Sequence, residues 1–103
     1  MKANKTYSSQ SAVAVSNASS TALVPAAPSR VALIVSAPSV AASRITISMA
    51  STAVLDAGID VFVGTLPLIL TLEDHGDIVQ RAWTSIASAA GVSVGVIQVF
   101  DAG

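Results

Sequence analysis

The residues best suited to chemistry stand together in the segment TLEDHGDIVQRAW, residues 71–83. His75 is the only histidine of the chain, and Glu73, Asp74 and Asp77 flank it. An imidazole that titrates near neutrality beside carboxylates could serve as a general base or a metal ligand. The spacing argues against both. In an extended strand Glu73 and His75 share a face while Asp74 points away. A catalytic zinc site draws on three protein ligands, and one histidine with carboxylates is a weak set. A calcium loop needs regular D-x-D-x-D-G spacing, which this segment lacks. It reads more simply as a hairpin turn, with Gly76 relieving a positive φ.

The rest of the chain offers less. It has no cysteine, so disulfides, thiolate metal sites and cysteine nucleophiles are excluded. No serine sits in a G-x-S-x-G elbow with a base to activate it. The expected assignment is therefore no catalytic, metal or cofactor residue, and a protein that is not an enzyme. Trp83 reads as a packing anchor rather than a ligand platform. Asp56 and Asp60 read as turn and edge residues. Arg30, Arg44 and Arg81 are expected to cap strands or bridge to neighbouring subunits.

Composition bounds the partners. The chain is 52% hydrophobic and 11% charged, with a net charge of −1. Soluble domains carry about 25% charged residues, so few charges are present to keep an isolated subunit apart from its neighbours. The apolar excess predicts a homo-oligomer, a trimer or dimer, or faces covered by another protein. Five basic residues scattered along the chain form no phosphate-binding stripe, so no nucleic-acid partner is expected. The most apolar window, IDVFVGTLPLILTL, spans residues 59–72. It is shorter than the ~20 residues of a spanning helix, and Asp60, Gly64 and Pro67 interrupt it. No membrane partner is expected. The N-terminal residues lack the apolar stretch of a signal peptide, which predicts a chain made in the cytoplasm.

The elements that would position these residues are short strands. SAVAV, TALV, RVALIVS, RITISMA, IDVFVG, LPLILTL and VSVGVIQVF are separated by turn signals such as SNASS and PAAPS. Turn signals every 8–12 residues mark an all-β sandwich or barrel. RITISM alternates, placing Ile45, Ile47 and Met49 on one face. VSVGVIQVF places Val92, Val94, Val96, Gln98 and Phe100 on one face and Ser93, Gly95, Ile97 and Val99 on the other. Both faces are mainly apolar, which predicts burial on much of both. Residues 77–90 fit a strand and also a helical stripe ending at Gly91. Residues 1–10, MKANKTYSSQ, are polar and read as a flexible arm.

The order of these motifs resembles a group of small tailed-bacteriophage virion proteins. The resemblance rests on a proline turn before an arginine (Pro28 to Arg30), the strand Leu33 to Ser36, and the strand Arg44 to Ser48. An apolar strand ending in Glu73 to Asp77, then Trp83 and the closing strand Val92 to Val99, complete it. It covers about residues 19–100. It implies a head-decoration (cement) subunit or a related module of fibres and tails, on the outer surface of a phage particle, with no catalytic residues.

The resulting expectation is an all-β antiparallel sandwich of about eight strands, open to jelly-roll connections, with an extended N-terminal arm. The arm covers residues 1–10 and the sandwich residues 11–103. The expected function is a virion structural protein that bridges and stabilises major capsid proteins. The alternative is a receptor- or partner-binding module of a head fibre or tail. Lys2, Lys5, Tyr7, Arg30 and Arg44 are the expected partner-binding residues, with Tyr7 in an apolar groove and the lysines meeting acidic groups.

Overall fold

Most apolar runs become strands, and most of these end near a Pro, a Gly or a serine cluster. In a computed structural model, which describes residues 6–38 and 43–101, the strands are β1 (Thr6–Val15), β2 (Thr21–Val24), β3 (Arg30–Val35) and β4 (Arg44–Ser48). They continue with β5 (Ile59–Phe62), β6 (Leu68–Thr71), β7 (Trp83–Ala87) and β8 (Val92–Asp101). A single α-helical turn, α1 (Leu72–His75), and a 3-10 helix (Gly76–Gln80) join β6 to β7.

The strands form two four-stranded antiparallel sheets, ordered β1-β8-β3-β6 and β2-β7-β4-β5. The chain changes sheet at every connection except β4 to β5. This is the jelly-roll arrangement of two interleaved Greek keys. The sheets pack through their inner faces. Val92, Val94 and Val96 of β8 and Leu33 and Val35 of β3 supply one side, and Ile45 and Ile47 of β4 supply the other. Val61, Leu70, Val79 and Trp83 are among the other residues of the core.

Several expectations change in the folded chain. Residues 6–10, expected in a flexible arm, are the first half of β1, which pairs with β8 from Thr6↔Asp101 to Val15↔Val92. Backbone pairing holds this segment although its side chains are polar. Deleting residues 1–10 would therefore remove half of a ladder rather than a free arm. The remaining arm residues, 1–5, lie outside the described residues. Met49, expected beside Ile45 and Ile47, lies beyond the end of β4 and is 47% exposed. Within residues 77–90 both alternatives fall short: a 3-10 helix ends at Gln80 and a strand begins at Trp83.

The β4–β5 connection folds back over the outer face of its own sheet. Ala53 is buried and its N–H donates to Ser20 Oγ at 2.8 Å. Thr46, on that outer face, is fully buried; its hydroxyl donates to the Asp60 carboxylate and accepts the Asp56 N–H at 2.9 Å. Gly58 is required here, since a Cβ would lie 2.3 Å from the Ile47 carbonyl oxygen.

Candidate docking surface

The His75 cluster is a helix cap. Thr71 ends β6 in extended conformation and its Oγ1 accepts the Asp74 N–H at 3.1 Å. His75 Nδ1 accepts the Thr71 N–H at 3.0 Å. Two otherwise unpaired donors of the helix start are thus satisfied reciprocally, with His75 in the part that Glu usually plays in a capping box. Gly76 follows with φ of +71°, the left-handed region that favours glycine. The segment is not a hairpin, because β6 and β7 belong to different sheets. Glu73, Asp74 and His75 are all exposed. Asp77 reaches Arg81 at 3.7 Å, an exposed i,i+4 pair. No group of three or more metal-ligating residues and no enclosed pocket occur among the described residues. His75→Asn should change stability by about 1 kcal/mol or less, measured by urea denaturation. Stoichiometric zinc in the purified protein, lost in that variant, would overturn the capping role.

Arg30 is not a surface residue, which corrects its expected part in partner binding. By strict alternation it would share the outer face with Ala32 and Ile34. The β3–β8 register steps from Arg30↔Phe100 to Ala32↔Val99, so Val31 is an extra residue and the strand bulges there. The bulge turns Arg30 inward, where it is 0% exposed. Its Nε donates to Gln98 Oε1 at 3.0 Å, and Nη1 donates to the carbonyls of Val79 at 2.9 Å and Arg81 at 3.0 Å. Nη2 donates to the Pro25 carbonyl. Burial lowers its pKa from the ordinary arginine value, which leaves it protonated at neutral pH.

Arg44 is committed to an internal partner too. Its Nε and Nη2 meet Asp56 Oδ1 and Oδ2 at 2.8 and 2.7 Å, a forked pair with the geometry guanidinium favours. Asp56 sits at φ +66°, so the ion pair holds the loop in a left-handed turn. The hydrogen bond from Arg44 holds the Asp56 carboxyl below the usual carboxylate range, and the same bond raises the Arg44 pKa. A depressed folded-state pKa gives stability that is complete above the unfolded value of about 4. It is lost as pH falls through the lower folded value. Denaturation midpoints should therefore fall on acidification below about pH 4 less steeply in Asp56→Asn than in the parent. Asn tolerates the left-handed backbone. The difference should shrink in high salt, because the pair is exposed. Equal slopes would remove Asp56 from the acid response. Tyr7 lies opposite Phe100 in the β1–β8 ladder, and Lys2 and Lys5 lie outside the described residues.

What remains for binding is a surface. Opposite β2-β7-β4-β5, whose outer face carries Arg44, Thr46 and Asp60 under a loop, the other sheet turns out a face whose central rows carry no charge, with Asp101 at the far end of β8. The ladders align Gln10, Ile97, Ile34 and Ile69 in one row across β1, β8, β3 and β6. Ser8, Val99, Ala32 and Thr71 form the next. Ile69 is 52% exposed, and Ile34, Ile97, Val99 and Ala32 are partly exposed. An antiparallel sheet facing water is polar on that face; here three isoleucines run across it. The burial expected on both faces of β8 is found on one: Val92, Val94 and Val96 lie in the core, while Ser93, Gly95, Ile97 and Val99 stand at the surface because no further layer covers this sheet. Leu66, just before β6, is 87% exposed, and Leu72, just after it, is 38% exposed. An exposed apolar row of this kind is the candidate interaction surface among the described residues. The sequence reading assigned none of these residues; the isoleucine row was hidden because only the register shows which strands stand side by side.

Compared with protein-family models, curated proteins and solved structures, the chain matches none. Among the described residues no helix is long and apolar enough to cross a membrane.

Proposed function

We propose that this chain is a structural subunit that docks onto a larger protein surface, as a decoration (cement) protein on the outside of a tailed-phage head. The observation that carries the reading is the uncovered, uncharged row Ile97–Ile34–Ile69 on the outer face of the β1-β8-β3-β6 sheet. Burying such a face stabilises by roughly 25 cal/mol per Å², and repetition over a lattice of identical sites makes a modest contact strong collectively. The partner it fits is a neutral, apolar patch shared by adjoining major capsid proteins. The jelly roll is used by viral capsid modules, and by lectins and cupins as well. The phage assignment therefore rests on the resemblance in motif order.

Quantifying the chain in purified particles tests this. Decoration predicts hundreds of copies per particle; a few copies would favour the fibre or tail module, and absence would overturn the virion reading. Ile69→Asp tests the face. The variant should fold normally, since Ile69 lies on the outer face of an edge strand, and should be lost from particles that retain the parent protein. Equal retention would move the contact elsewhere.

A further inference from the structure

We infer that β1 is a self-association edge, through which two copies pair antiparallel about a two-fold axis and join their β1-β8-β3-β6 sheets into one eight-stranded sheet. The inference goes beyond the decoration reading and does not depend on it.

A sandwich of two open sheets has four edge strands, here β1, β6, β2 and β5. Three of them are four residues long. Pro25 follows β2, Pro67 precedes β6, and β5 carries Asp60 between Gly58 and Gly64. These are the devices by which proteins blunt an edge against pairing. Within its own span β1 has none of them, and Lys5 precedes it in the sequence. It runs for ten residues, TYSSQSAVAV, with no charge, proline or glycine. Alternate residues of a strand turn their N–H and C=O groups to each side. One side of β1 bonds to β8 over its full length. Among the described residues no backbone–backbone hydrogen bond is made on its other side.

A second β1 is the occupant that this edge fits. An uncharged strand gives a charged partner edge nothing to meet, whereas an identical neutral strand matches it in charge and in length. The side chains from Ser8 to Ala12, and Ala14, are small or uncharged and exposed, so none obstructs the approach. Each subunit carries a net charge of −1, too little to hold two copies apart. A two-fold axis perpendicular to the sheet keeps both inner faces on one side, so side-chain alternation is preserved across the join. The outer face then continues from one subunit to the next, Ile69–Ile34–Ile97–Gln10 leading into the same row of the other copy. With strands ~4.8 Å apart, the face widens from about 14 Å to about 34 Å across.

Sedimentation velocity on the full chain over a range of concentrations tests the pairing. The expected result is a concentration-dependent dimer. The double variant Gln10→Lys/Ala12→Lys, both on the exposed outer face, sets the added lysines of one copy against those of the other in the pair. It should keep the circular dichroism spectrum of the parent and raise the dimer dissociation constant about tenfold or more, with partial recovery in high salt. A monomer at every concentration, a closed trimer, or a dimer indifferent to the double variant would each overturn the inference. Particle copy number is read separately, so failure here leaves the decoration reading to its own test.

Discussion

Arg30→Met should destabilise the domain by about 3–5 kcal/mol, enough to consume much of the ~5–15 kcal/mol that holds a domain folded. Methionine keeps an unbranched stem in the space but removes every donor. The carbonyls of Pro25, Val79 and Arg81 and the amide oxygen of Gln98 would then lose their partner together. A buried acceptor left unsatisfied costs about 1–3 kcal/mol, and the four losses are not additive because they share one donor group. The geometry explains why one side chain carries so much. Pro25 lies on the β2–β3 connection and Val79 and Arg81 on the β6–β7 connection, both of which pass between the sheets. Arg30 ties them together at the same end of the sandwich. Ala27 N–H to the Gln80 carbonyl at 2.9 Å and Gln80 Nε2 to the Pro28 carbonyl at 2.7 Å reinforce the join. Arg30→Lys should recover little, because one ammonium cannot reproduce the planar spread of donors. Urea denaturation of the three proteins decides it. A loss below about 1 kcal/mol for Arg30→Met, the level of ordinary surface changes, would show that the guanidinium is not the clamp.

That role could not be read from the chain, and the reason is specific. Alternation along RVALIV puts Arg30 on the outer face, and only the pairing with β8 reveals that Val31 bulges out. Most strands were legible because proline, glycine and serine clusters bound their apolar runs; β7 was not, because residues 77–90 fit a helical stripe as well. Ile45 and Ile47 face inward as their alternation requires. Thr46 is buried on the other face only because a loop returns over it, which is a tertiary event with no local signal. The start of β1 was invisible for the opposite reason. Ser8, Ser9, Gln10 and Ser11 are exposed on both faces of the ribbon, so the hydrophobic pattern that announces a strand is missing, and the ladder to β8 alone makes it one. His75 was legible as a residue in a turn near a glycine with positive φ. Its use as a cap was not, because β6 and β7 had to be placed in different sheets before the turn could be seen as a crossover.

Trp83→Ala should cost roughly 3–5 kcal/mol, the range for removing a large aromatic from a packed core. Trp83 opens β7 at 3% exposure within the core cluster. Its Nε1 donates to the Ile78 carbonyl at 3.0 Å. That bond reaches back into the 3-10 helix, so the ring fixes the crossover as well as filling the core. Trp83→Phe separates the two contributions: it keeps most of the apolar volume and drops the donor. The expected cost is about 1–3 kcal/mol, for the Ile78 carbonyl left without its partner and the smaller ring. Trp83 is the only tryptophan, so its fluorescence reports unfolding in the parent, while the variants must be followed by circular dichroism. If Trp83 were instead a recognition platform, Trp83→Ala would fold with parental stability and fail only in attachment. A ring with 3% of its surface exposed offers a partner almost nothing to touch, so loss of stability should come first, with any loss of attachment following from it.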